Sequence, residues 1–175
     1  MTNAVRKTIA IRKWLNSLNY VQFIGVQIAL GLLCSLVLYA IISIFSISSP
    51  TREYGYSFIP FLLLFLVSAF IETLLFQYLP FILISHRKKD VPDKVFRPTR
   101  YVLISSVAFG LFHIVGTHWM MPFVVFKVLF TALYGVAFSV SFYILHKKKQ
   151  KPILSVTLIH YLVNVSIVFL GFLFQ

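Results

Sequence analysis

The sequence predicts an all-α fold: a polytopic transmembrane helical bundle of about five spans. Three observations point there. The chain is 59% hydrophobic and 17% aromatic, with a mean hydropathy of +0.91. Only 11% of its residues are charged, too few for the exposed surface of a soluble domain of this length. Apolar runs long enough to cross a hydrocarbon core of about 30 Å recur at intervals, separated by short basic or aromatic connectors. A single membrane-embedded domain over residues 1–175 is therefore expected.

The elements follow in order. Residues 1–19 form a basic segment, in which Ile11, Leu15 and Leu18 fall at helical spacing among cations; residues 4–18 read as an interfacial helix or a disordered tail. Spans are expected at 20–47, 57–84, 101–117, 121–145 and 153–174, the third being the shortest. The first is too long for the apolar core of a cleavable signal and is read as an anchor. Pro122 and Pro152 stand where the fourth and fifth helices should begin, since a first-turn N–H has no intrahelical partner to lose. Cys34 is the single cysteine, so neither an intrachain disulfide nor a thiolate metal cluster is available.

Charge placement sets the orientation. Lys and Arg number four before the first span (Arg6, Lys7, Arg12, Lys13), one in the first loop (Arg52) and six in the second (Arg87, Lys88, Lys89, Lys94, Arg97, Arg100). The third loop has none and the fourth has four (Lys147, Lys148, Lys149, Lys151). This alternation predicts a cytoplasmic N-terminus and an outer C-terminus in a bacterial plasma membrane. The net charge of +12 thus reads as orientation determinants and contacts for anionic lipid, not as a nucleic-acid surface. Lys127, inside the fourth span, is expected to snorkel to the outer interface.

Four polar residues stand out against this background. Glu72 is the one acid within an apolar span, a costly placement unless function or a partner requires it. His113 lies in the third span, and His160 and Asn164 in the fifth, one helical turn apart and on one face. Counting helical rise from the basic connectors puts Glu72, His113 and Asn164 roughly 18 Å deep and His160 roughly 12 Å deep. All four can meet near the middle of the bilayer. Phe109 shares a face with His113, and Thr73 shares one with Gln77, while Ser68, Ala69, Ser105, Ser106, Ala108 and Gly110 allow close helix approach.

The runs Glu72-Thr73-Leu74-Leu75-Phe76-Gln77, Phe109-Gly110-Leu111-Phe112-His113 and His160-Tyr161-Leu162-Val163-Asn164 resemble the three motifs of the CPBP family. This family comprises the CAAX-protease and bacteriocin-processing (Abi) intramembrane peptidases, whose pattern is Glu-Glu-x-x-x-Arg, Phe-x-x-x-His and His-x-x-x-Asn. The resemblance covers a peptidase-like core at about 57–174. Thr73 and Gln77 depart from it, replacing the second Glu and the Arg. Those positions are i and i+4, so a supporting ion pair has become a neutral pair able to hydrogen-bond across the same gap.

The resemblance implies hydrolysis of a peptide bond in a membrane-anchored or hydrophobic peptide, with the lipid bilayer and that peptide as partners. Glu72 is the one buried group able to act as general base toward water and then return a proton to the leaving amine. Two chemical versions stay open. In one, His113 and His160 bind a divalent metal such as zinc, with Glu72 as ligand or base. In the other no metal is used: Glu72 and His113 hold the water, and His160 and Asn164 stabilise the oxyanion. Two further readings remain: a catalytically inactive relative acting in bacteriocin immunity or partner binding, and a small ion-coupled transporter. The transporter reading lacks an inverted repeat and a pair of broken helices.

Overall fold

The computed structural model describes residues 14–15, 17–44, 58–86, 98–114 and 121–173. These residues are helical apart from short turns, with no strand among them. Six α-helices result: α1 (Tyr20–Ile44), α2 (Phe58–Thr73), α3 (Leu79–His86), α4 (Pro98–Phe112), α5 (Met121–Lys147) and α6 (Pro152–Leu173). A π-helical segment, Leu74–Tyr78, joins α2 to α3. Among the described residues, four stretches are long and apolar enough to cross a membrane, in α1, across α2–α3, in α5 and in α6. The chain is an integral membrane protein.

Local chemistry explains several boundaries. Asn19 caps α1 reciprocally: Gln22 N–H donates to its Oδ1 at 2.9 Å, and its own N–H donates to Gln22 Oε1 at 3.1 Å. The Lys148 ammonium donates to the Leu15 and Leu18 carbonyls at 3.3 and 2.8 Å, tying the residues before α1 to the end of α5. Of the interfacial helix expected at 4–18, only Trp14, Leu15 and Ser17 are seen as helical; residues 4–13 and 16 lie outside the described residues. α5 and α6 open at the expected proline positions.

The π segment has an identifiable cause. Pro80 has no N–H to offer the Phe76 carbonyl, and its ring crowds that carbonyl. The turn widens, so that Leu79 N–H bonds to the Leu74 carbonyl. The Phe76 carbonyl, which Pro80 cannot serve, accepts a hydrogen bond from Ser105 Oγ on α4. Ser139 Oγ on α5 donates onward to Ser105 Oγ at 2.6 Å. Three rods are thereby tied at one level.

Small residues set the closest approach. A Cβ at Gly135 would stand 2.8 Å from the Ser106 Cα, and one at Gly110 would stand 2.9 Å from the Ala132 Cβ. α4 and α5 therefore meet almost backbone to backbone. α2 packs on α6, and α1 packs chiefly on α6. Tyr134 Oη, 2.8 Å from Ser35 Oγ and donating to the Gly31 carbonyl at 3.2 Å, links α1 to α5.

One boundary differs from expectation. The apolar pattern predicts a third helix running to residue 117, but α4 ends at Phe112. His113 and Ile114 N–H groups bond three residues back, to Gly110 and Leu111, at 3.3 and 3.1 Å. This tightened last turn leaves His113 on a helix end rather than within a helix. Residues 115–120 lie outside the described residues.

Candidate active site

Three rods deliver the polar groups to one place. Glu72 sits two residues before the π segment, His113 at the end of α4 and His160 on α6, two turns after Pro152. Glu72 Oε2 lies 3.5 Å from His160 Nε2 and 3.7 Å from His113 Nε2. Its other oxygen, Oε1, accepts a hydrogen bond of 2.6 Å from Ser68 Oγ one turn earlier. Glu72 and His160 are buried, and His113 is partly exposed.

Phe109 organises the two imidazoles. Its carbonyl lies 2.8 Å from His113 Nδ1, and a carbonyl only accepts, so Nδ1 carries the proton and Nε2 of the neutral ring presents a lone pair. Its ring stands 4.5 Å from the His113 ring and 5.5 Å from the His160 ring, the latter edge to face. Phe138 of α5 covers His160 from another side, centroids 4.5 Å apart. His160 is thus held by aromatic contacts, while its Nδ1 is buried with no hydrogen-bond partner among the described residues.

The histidines open onto a cavity of about 310 Å³. Asn164 lines it beside them, along with Phe130, Thr131, Tyr134 and Phe138 of α5. Glu72 is not in the lining and stands behind the imidazoles. The volume falls at the lower end of small-ligand pockets, and the wall is apolar with a few convergent polar groups, as such pockets are. Lys127 lines the same cavity.

The expected neutral pair does not form. Thr73 and Gln77 are both fully buried, yet the Thr73 hydroxyl and both Gln77 amide atoms have no hydrogen-bond partner among the described residues. The π segment between them is the reason. It widens the turn, so residues four apart no longer stack as on an α-helix.

As donors, the residues offer two imidazoles and one carboxylate. Metal-bound imidazoles commonly brace their second nitrogen on an acceptor, and His113 does so while His160 does not. Among the described residues, no group of three or more His, Cys, Asp or Glu side chains is arranged to hold a metal ion. Glu72, His113 and His160 are the residues that would hold a metal ion, and of the two imidazoles only His113 has its second nitrogen braced. The arrangement also suits water. With the His113 ring in its neutral form, Nε2 and Glu72 Oε2 are both acceptors, and a separation of 3.7 Å between them suits a bridging molecule with two O–H donors.

A family model described as "Type II CAAX prenyl endopeptidase Rce1-like" matches residues 54–166, a stretch that holds Glu72, His113, His160 and Asn164. No curated protein and no solved structure matches the chain.

Proposed function

Because the chain belongs to the Rce1-like family of type II CAAX prenyl endopeptidases, we propose that it hydrolyses a peptide bond in a membrane-associated or hydrophobic peptide, using water activated by Glu72. The observation that carries this reading is the convergence of His113 Nε2 and His160 Nε2 on one carboxylate oxygen beside a half-open cavity.

The steps follow from the groups. Water bound between Glu72 Oε2 and His113 Nε2 gives its proton to the carboxylate as its oxygen attacks the scissile carbonyl carbon. Ser68 holds the opposite carboxylate oxygen, so Oε2 stays aimed at the water. Asn164, one turn along α6 from His160, offers amide N–H donors to the oxyanion from the cavity wall. The C–N bond then breaks, and Glu72 passes the proton to the leaving amine. Phe109 and Phe138 exclude bulk water from the His160 imidazole, which strengthens its electrostatic contact with Glu72. The basic connectors support an N-terminus on the cytoplasmic side.

The test is hydrolysis of fluorogenic apolar peptides by purified protein in liposomes, comparing wild type with Glu72→Gln. Cleavage by wild type and none by the variant supports the reading. Equal cleavage by both removes it. A reading as an inactive binding protein predicts instead that neither cleaves and that Glu72→Gln keeps the biological phenotype.

A further inference from the structure

Gln77 Nε2, Thr157 Oγ1 and His160 Nδ1 are buried side-chain atoms without a hydrogen-bond partner among the described residues. Gln77 belongs to the π segment, and Thr157 and His160 belong to α6. From this we infer that one buried water is bound between Gln77, Thr157 and His160, and that it holds the His160 imidazole in a single tautomer. Gln77 and Thr157 are then positioning residues for the hydrolysis. The inference rests on the peptidase reading for its kinetic consequence, while the water site itself stands on the three orphaned atoms.

Contacts with α5 put these groups at one level. The Phe76 carbonyl, next to Gln77 in the chain, accepts from Ser105 Oγ, and Ser139 Oγ of α5 donates to Ser105 Oγ at 2.6 Å. Ser139 follows Phe138, whose ring lies 4.5 Å from the His160 ring. One turn further along α5, the Phe142 ring lies 6.3 Å from the ring of Tyr78, the residue after Gln77. The same stretch of α5 thus passes Gln77 and His160. Gln77 is fully buried, so its amide lies inside the bundle. Thr157 precedes His160 by less than one turn on α6, roughly 4.5 Å along the axis, and is buried as well. α2 packs on α6 and closes the site.

The chemistry of the three atoms fits one water. An amide, a hydroxyl and an imidazole nitrogen are each costly to leave unpaired in an apolar interior. The ionised Glu72 carboxylate only accepts, so the His160 nitrogen that faces it at 3.5 Å, Nε2, carries the hydrogen. Nδ1 then holds a lone pair and needs a donor. A water donates one O–H to Nδ1 while its oxygen accepts from the Thr157 hydroxyl and the Gln77 amide N–H, a normal complement of bonds for buried water. The widened π turn, which takes Gln77 out of register with Thr73, leaves the amide free for this role. Fixing the hydrogen on Nε2 gives the imidazoles different duties: His160 donates toward Glu72, and His113 accepts from the reacting water.

The experiment uses the full chain in liposomes with isotope-labelled histidine and reads the His160 ring by solid-state NMR, a His160→Gln sample assigning its signals. In the wild type, Nδ1 should show the shift of an unprotonated nitrogen and should receive magnetisation from water. Thr157→Val and Gln77→Leu should each abolish that transfer and leave a mixture of tautomers, and Thr157→Ser should restore both signatures. Cleavage should follow the ring. Loss of one hydrogen bond predicts a kcat about tenfold lower in Thr157→Val and Gln77→Leu at unchanged KM, with Thr157→Ser near wild type. Val has the shape of Thr, so the Thr157 series carries the test even where Gln77→Leu does not fold. A protonated Nδ1 in the wild type, no transfer from water, or ring signals unchanged in Thr157→Val overturns the inference. A kcat that survives Thr157→Val overturns the positioning role. The water signature with no cleavage by wild type removes the peptidase reading and leaves a structural water within the bundle.

Discussion

His113 faces Glu72 across 3.7 Å with its other nitrogen fixed on the Phe109 carbonyl at 2.8 Å. In its neutral form the imidazole therefore presents a lone pair toward a carboxylate oxygen, and two acceptors at that separation define a place for one water. Shortening the acid should empty that place of function. Glu72→Asp withdraws the carboxylate by about one C–C bond, roughly 1.5 Å, and should cost nearly as much activity as Glu72→Gln, a factor of about 10² to 10⁴ in kcat. Single-turnover cleavage rates check this, with circular dichroism showing both variants helical. Activity of Glu72→Asp near wild type would falsify the two-acceptor placement of the water.

Asn164 stands on the cavity wall, on the face of α6 that carries His160. If its amide meets the oxyanion, Asn164→Ala should lower kcat by about 10² to 10³ with little change in KM. Asn164→Asp offers an acceptor where a donor is needed and should fare no better. A rise in KM at unchanged kcat would instead make Asn164 a substrate-binding group.

Much of this site is legible in the sequence, because helical rise converts residue number into depth and the basic connectors mark where counting begins. Glu72, His113 and His160 are expected to meet, and they do, within 3.7 Å. Their meeting depends only on axial position and on one polar face per helix. The Thr73–Gln77 pairing fails because it assumes α-helical spacing across a segment that is π-helical. A signal is present: Pro80 lies four residues after Phe76, whose carbonyl it cannot satisfy.

The donor arrangement bears on metal dependence. His160 Nδ1 is unbraced, and a mechanism in which Glu72 and water act alone predicts hydrolysis without a bound metal. Prolonged incubation with a strong chelator should leave the cleavage rate within about twofold. Loss of activity that zinc restores would move Glu72, His113 and His160 into the role of metal ligands.

Thr73 is fully buried, and its hydroxyl has no hydrogen-bond partner among the described residues. Burying an unsatisfied hydroxyl costs about 1–3 kcal/mol, and an isosteric apolar side chain avoids that cost. Thr73→Val should therefore leave thermal stability in detergent unchanged or raise it. A clear loss of stability would mean that the hydroxyl is satisfied, by a bound water or otherwise, beside the catalytic acid.

Gly135 tests the scaffold rather than the chemistry. In an open helix Gly→Ala gains about 1 kcal/mol from reduced backbone entropy. Here the new methyl would sit 2.8 Å from the Ser106 Cα and 3.1 Å from the Phe109 Cβ. The first of these belongs to backbone and cannot rotate away, so α4 and α5 must separate. Overpacking of this kind costs about 1–3 kcal/mol, more than the propensity gain over most of that range. Gly135→Ala should thus lower the melting temperature. It should lower activity as well, because Phe109 holds His113 by its carbonyl and contacts His160 by its ring. Gly25, where an added Cβ would meet nothing within 4 Å, provides the control: Gly25→Ala should stabilise the protein slightly and leave cleavage untouched. Equal behaviour of the two variants would mean that the α4–α5 contact does not set the position of the histidines.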